Sequence, residues 1–183
     1  MCIILEGKKK VITKTEIVRG FLTNPDGWGI WSEKTLQTPR KGYKLNSLLN
    51  LFASVKENEN VVIWERISTG GSTLQPFAIG GGRYLFHNGV CGKSKGNKSD
   101  TALLAENIHG LPEGVQVNIL KIYHEKGKGK FTITRPKGEP ILIGFKTDKD
   151  GVARSNENHL DRPRRAADVS GFDAKLSLSH FNY

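Results

Sequence analysis

Along this chain the short apolar runs that read as strands come in clusters, and the stretches with helical spacing are grouped between them. Alternating strand–helix–strand units would interleave the two, so this order predicts an α+β fold. Cys2–Glu6 reads as a short buried strand. Ile17, Val18, Phe21 and Leu22 follow at helical spacing, with Thr13 or Thr15 as the cap. Asn24-Pro25-Asp26-Gly27 has turn chemistry. Trp28–Trp31 resumes as a strand that Thr35–Thr38 can pair with, and Leu48, Leu49, Phe52 and Val55 define a second amphipathic helix. Val61-Val62-Ile63-Trp64 marks a strong strand over Asn60–Ile67, with short strands expected near Phe77–Ile79 and Tyr84–His87.

Further on, Ser99 or Asp100 caps a helix through Ile108. Gly114–Tyr123 fits both periods: Val115, Val117 and Ile119 alternate, whereas Val115, Ile119 and Ile122 share a helical face, and helix is preferred. Phe131–Thr134 and Ile141–Phe145 read as paired strands, and Lys149-Asp150-Gly151 turns into a last one near Val152–Arg154. One domain is expected over residues 1–160, within a length of 183, and a basic, polar, partly packed tail over 161–183.

Composition narrows the functional classes. Lysine and arginine exceed the acids by 28 − 18 = 10, which favours acidic partners. The basic residues are scattered, with no helix stripe and no zinc-ligand spacing, so nucleic acid is a possible partner that the pattern does not favour. No apolar run is long enough to span a bilayer, and Lys8-Lys9-Lys10 follow the first apolar run instead of preceding it, so neither a membrane span nor a secretory leader is expected. Two cysteines, Cys2 and Cys91, make no disulfide framework, which points to reduced thiols in the cytoplasm.

The chemistry starts at Met1-Cys2. Removal of the methionine would put a thiol and a free α-amine on one residue. The thiolate is the nucleophile, and an α-amine titrates near roughly 7.7–8.0, so it serves as a base at neutral pH. Alone, Cys2 reads equally as a small buried side chain opening a strand. Four further segments carry the same double meaning. Gly27 and Gly29 around Trp28 serve a turn, or allow backbone to approach a ligand. Arg66 ends the strong strand as a solvated residue or as a fork for a carboxylate, with the Thr69 hydroxyl in reach of the same anion. His87-Asn88-Gly89 is a hairpin turn, or an oxyanion hole made of the Asn88 amide and the Gly89 N–H. Asp100 is a helix cap, or a receptor for a substrate ammonium. Cys91 reads as a core residue, and His109, His124, His159 and His180 have no ligand spacing.

In order and combination, Met1-Cys2, Asp26-Gly27-Trp28-Gly29-Ile30, Arg66-x-x-Thr69-x-Gly71, Gln75-Pro76-Phe77, His87-Asn88-Gly89 and Ser99-Asp100-Thr101 resemble the class II glutamine amidotransferases, a branch of the N-terminal-nucleophile (Ntn) hydrolases. Arg66–Phe77 is similar to the glutaminase domain of amidophosphoribosyltransferase. Asp26–Ile30 is more similar to small stand-alone class II amidotransferases, including the glutathione-degrading type. The resemblance runs from Cys2 to about Leu104 and touches Ser155-Asn156. It departs from the glucosamine-6-phosphate synthase branch at Ile67 and Gly70, and Ala102 stands where a carboxylate usually follows.

The resemblance implies a four-layer αββα sandwich without cofactor or metal. It also implies that Cys2 attacks the side-chain amide of glutamine through a γ-glutamyl thioester, releasing ammonia. Arg66 and Thr69 would hold the α-carboxylate, Asp100 the α-amine, and Asn88 and Gly89 the oxyanion, with Gly27 beside the nucleophile. A separate ammonia-acceptor subunit is a possible partner. The alternatives are an Ntn hydrolase of another amide, such as a γ-glutamyl peptide, and a basic, non-catalytic binding protein on the same scaffold.

Overall fold

The strand built on Val61-Val62-Ile63-Trp64 is buried along its whole length and lies inside a six-stranded antiparallel sheet. A computed structural model describes residues 2–67, 72–157 and 160. In chain order the elements are β1 (Ile3–Lys8), a turn of 3-10 helix (Lys9–Val11), α1 (Lys14–Thr23), β2 (Trp28–Ser32), β3 (Arg40–Gly42), α2 (Leu45–Ser54) and β4 (Asn60–Glu65). Then come β5 (Phe77–Gly80), β6 (Arg83–Asn88), α3 (Asp100–Ile108), α4 (Glu113–Glu125), β7 (Lys130–Ile133), β8 (Ile141–Ile143), β9 (Lys146–Thr147) and β10 (Ala153–Arg154). The first sheet has the order β3-β2-β4-β1-β10-β9 and the second β5-β6-β7-β8. All the ladders are antiparallel, as a mixed α+β chain without βαβ crossovers requires.

Successive side chains of a strand point to opposite faces, and the cores follow that rule. From the six-stranded sheet, Ile3, Leu5, Ile30, Val61 and Ile63 pack with Ile17 and Val18 of α1 and Leu48, Leu49 and Phe52 of α2. The alternate residues Ile4, Trp31, Val62 and Trp64 pack with Phe86 of β6. The other face of the second sheet, through Leu85, Phe131, Ile133 and Ile143, packs with Leu104, Ala105 and Ile108 of α3 and Leu120 of α4.

Thr13 caps α1 by accepting from the Glu16 N–H at 3.1 Å, and Ser99 caps α3 by accepting from Ala102 N–H at 3.2 Å. Two expectations are corrected. The partner of β2 is Arg40–Gly42, not Thr35–Thr38. The backbone there bends instead around Glu59, whose carboxylate takes the N–H groups of Lys34 and Thr35. Gly114–Tyr123 does lie in a helix, α4, but Val115 and Ile122 are exposed and the buried residues are Gln116 and Leu120. Gln116 is satisfied there: its amide donates to the Ile79 and Ile108 carbonyls at 2.7 and 2.9 Å and accepts from Arg83 Nε at 3.0 Å. Apolar periodicity does not register a buried amide with a full set of partners. The tail 161–183 lies outside the described residues, and among them no helix is long and apolar enough to cross a membrane.

Candidate active site

Strand register brings the first residues of the site together. Ile3 and Trp28 both pair with Glu65 from opposite sides of β4. One step further out, Cys2, Arg66 and Gly27 therefore stand in a row across one end of the sheet. The Arg66 N–H donates to the Gly27 carbonyl at 2.8 Å, and the Asp26 N–H donates to the Arg66 carbonyl at 3.0 Å. Gly27 has φ +134°, which favours glycine, and a Cβ on it would lie 2.5 Å from a Leu74 methyl, which would have to move.

Cys2 meets the end of β6 from the second sheet. A cavity of about 410 Å³ is lined by Cys2, Asn88, Gly89 and Ser155, with Ile67, Val90 and Lys130 at its edges. The Cys2 Sγ lies 3.7 Å from the Ile67 carbonyl oxygen, and the Asn156 amide donates to the Cys2 carbonyl at 2.6 Å. Ser155 is the joint between the sheets. Its hydroxyl accepts from the Ile4 N–H at 2.7 Å and from Asn88 Nδ2 at 2.9 Å. Asn88 Oδ1 is buried without a partner among the described residues. Of the two Nδ2 hydrogens, one goes to Ser155, and the second has no acceptor among the described residues. Gly89 has φ +150°, and a Cβ would lie 2.6 Å from Gly129 Cα and from the Lys128 carbonyl oxygen, so the two loops touch through bare backbone. Burial pushes the Cys2 thiol above its ordinary value, with the Ile67 backbone and the Arg66 charge pulling the other way.

Asp100 is placed differently. Its carboxylate accepts from the N–H groups of Cys91 (2.7 Å), Gly92 (3.3 Å) and Thr101 (2.7 Å) and lies 3.3 Å from the Thr101 hydroxyl oxygen. It belongs with His87, whose side chain leaves β6 on the face opposite Asn88. His87 stacks on Phe131 at 4.5 Å, and its Nε2 lies 2.9 Å from the Lys128 carbonyl. A carbonyl only accepts, so Nε2 carries the proton and Nδ1 receives the Thr101 hydroxyl at 2.8 Å. Burial lowers the His87 pKa, which keeps the ring neutral. Burial, with Asp100 beside it, pushes the Cys91 thiol up to about 12, so it stays protonated.

The structure thus brings Cys2, Asn88 and Gly89 to one cavity. It sets Arg66 and Gly27 in the neighbouring row and leaves Asp100 out of the cavity lining. Thr69 lies outside the described residues. Among those residues, one group could offer a metal three donors, His87, Cys91 and Asp100, within 4.8 Å of one another. The sequence spacing gave no sign of it. Ser155 was visible only as part of Ser155-Asn156, and its bridging role depends on β10 lying next to β1. Nothing local to Lys130 flags it either, since its place beside Asn88 comes from the β6–β7 register.

No protein-family model and no curated protein matches the chain by sequence. Among solved structures it is similar to the glutamine phosphoribosylpyrophosphate amidotransferase from B. subtilis, determined with ADP and GMP. The two are 18% identical and superpose with a TM-score of 0.58 over 88% of this chain. That match spans 43% of the enzyme's chain, so this protein corresponds to less than half of its neighbour. At this identity the likeness is one of fold: the two-sheet architecture described above is also found in a glutamine amidotransferase.

Proposed function

We propose that the chain is an Ntn-type amidohydrolase of the class II glutamine amidotransferase kind, acting on the side-chain amide of glutamine or a γ-glutamyl compound. The observation that carries this is the meeting of Cys2 with Asn88 and Gly89 in one cavity. The order helices–sheet–sheet–helices, read from the three cores, supports a four-layer αββα sandwich. The amidotransferase neighbour supports it independently.

In this mechanism the α-amine of Cys2, exposed when Met1 is removed, takes the thiol proton. Sγ attacks the amide carbon, a C–S bond forms, and the amide oxygen becomes an oxyanion. Asn88 Nδ2 and the Gly89 N–H donate to it, the arrangement worth most in acyl transfer. Collapse breaks the C–N bond, and the departing amine takes the proton from the Cys2 ammonium. Water, deprotonated by the same amine, attacks the thioester, the thiolate leaves, and glutamate is released. Arg66 and Thr69 hold the substrate α-carboxylate, Asp100 its α-amine, and Gly27 gives the substrate close access to the nucleophile. No cofactor enters. An ammonia-acceptor subunit and a cytoplasmic setting, where both thiols stay reduced, complete the proposal.

The test is the mass of the mature N-terminus before and after treatment with a glutamine-analogue electrophile. Loss of Met1 and a single adduct on Cys2 are expected. Fully active protein that keeps Met1 would remove the dual role of Cys2.

A further inference from the structure

Among the described residues, Lys130 is the only charged side chain lining the cavity that holds Cys2 and Asn88. It pairs directly with Asn88 across β6 and β7, so the two side chains stand side by side on the sheet face turned toward the nucleophile. Its ammonium lies 5.8 Å from the centroid of the Phe145 ring, and no carboxylate of the described residues forms an ion pair with it. Gly127 and Gly129, which also line the cavity, alternate with Lys126 and Lys128, so the same loop adds exposed positive charge. Val90, 62% exposed, gives the mouth an apolar edge. A cavity of about 410 Å³ lies within the ordinary range of small-molecule sites, roughly 300–1,000 Å³. Glutamine would present its own charges to Arg66 and Asp100, neither of which lines this space. It would leave Lys130 with nothing to bind.

We infer that Lys130 is a specificity-determining residue that receives a carboxylate on the leaving-amine side of the substrate. The preferred substrate is then a γ-glutamyl amino acid and not free glutamine. This rests on the amidohydrolase function proposed above and names the substrate class of the same site. The bond broken is the γ-glutamyl C–N bond. The amine of the departing amino acid takes the proton from Cys2, and water supplies the hydroxyl that completes glutamate.

Two measurements test it on the full chain. Steady-state kinetics compare a γ-glutamyl dipeptide carrying a free C-terminal carboxylate with the same dipeptide amidated, on wild type, Lys130→Gln and Lys130→Arg. The wild type is expected to favour the carboxylate form by about tenfold in kcat/KM, the size of one charge-assisted contact at a half-exposed site. Lys130→Gln brings the ratio toward one, and Lys130→Arg keeps most of it. Equal use of both dipeptides, or a preference that survives Lys130→Gln, overturns the role of Lys130 and leaves the hydrolase standing. Calorimetric titration of the two dipeptides into Cys2→Ala, with and without Lys130→Gln, reads the same contact without turnover. Carboxylate-selective binding lost in the double variant, beside a wild type that cleaves neither dipeptide, would uphold the subsite and refute the hydrolase. Neither binding nor cleavage refutes both.

Discussion

Buried glutamates stand at the two ends of β4, Glu59 just before it and Glu65 its last residue, in opposite conditions. At the end away from the cavity, Glu59 accepts from Ser32 Oγ (3.1 Å), Lys34 N (3.2 Å), Thr35 N (2.8 Å) and Thr35 Oγ1 (2.7 Å). Burial alone would raise its pKa, but the hydrogen bonds from Thr35, Lys34 and Ser32 outweigh it and hold the carboxyl below its ordinary range. At the cavity end, Glu65 is fully buried and neither oxygen has a hydrogen-bond partner among the described residues. Burial pushes its carboxyl well above the ordinary range, and the Glu16 charge adds to this, while Glu16 is itself paired with Arg154. One end is closed by satisfied polar groups. The other, where Cys2, Arg66 and Gly27 stand in their row, tolerates unsatisfied ones, Glu65 and Asn88 Oδ1 among them. Orphaned buried groups are costly; Asn88 lines the cavity, whereas Glu65 turns to the other face of the sheet, against Gly20 of α1.

The largest expected effect is at the cavity end. Cys2→Ala abolishes amide hydrolysis, with a melting temperature close to wild type because only one small side chain is lost. Cys91→Ala keeps activity. Reversal of these two outcomes would move the nucleophile to the other side of β6. Next, Asn88→Ala lowers kcat by roughly 10²–10³-fold with little change in KM, as loss of an oxyanion donor does. Arg66→Ala and Asp100→Ala raise KM instead, with some loss of kcat. Steady-state kinetics on the three proteins, with thermal melts alongside, separate the roles. Wild-type KM in Asp100→Ala would restrict that carboxylate to holding the 91–92 backbone.

Smaller effects belong to stability. Glu59→Gln is expected to cost about 2 kcal/mol in urea unfolding, with normal turnover per folded molecule. A carboxyl whose pKa is lowered on folding adds stability that is present above its ordinary 4.5 and lost as pH falls through the folded value. Glu59→Gln therefore flattens the acid side of the stability profile. Glu65 has the opposite sign. Between its ordinary 4.5 and its raised folded value the native state binds the extra proton, so stability falls as pH rises. The slope is at most about 1.4 kcal/mol per pH unit. Glu65→Gln should remove that decline, seen in melting temperatures from pH 5 to 8. An unchanged decline would assign it to another group and dissolve the contrast between the two ends.

The sequence makes much of the contrast visible, but not all of it. Thr13, Ser99, Val61–Trp64 and the Asn24–Gly27 turn are local signals, and each sits where propensity and capping place it. Thr35–Thr38 misleads because its backbone is recruited by Glu59, a long-range partner that no window of sequence reveals. Asn88 and Gly89 read as a hairpin or an oxyanion hole, and only the approach of β1 and β10 puts Ser155 and Cys2 beside them. Glu65 lies inside the strand expected over Asn60–Ile67, and no local signal sets its carboxyl apart. That its carboxyl lacks a hydrogen-bond partner among the described residues follows from its packing against Gly20 of α1.

That packing has a consequence for how the sequence can drift. Gly20 lies in α1 directly over Glu65, and a Cβ there would fall 1.8 Å from Oε2. A helix interior normally gains about 1 kcal/mol when glycine becomes alanine. Here that step collides with a carboxyl group. Shortening Glu65 alone leaves a void under a helix that still carries a glycine. The two positions are therefore epistatic: each single substitution passes through a less stable intermediate, while Gly20→Ala combined with a smaller residue at 65 reaches a filled core. Helix-stabilising changes tolerated elsewhere on α1 are closed to Gly20 until its neighbour has moved first.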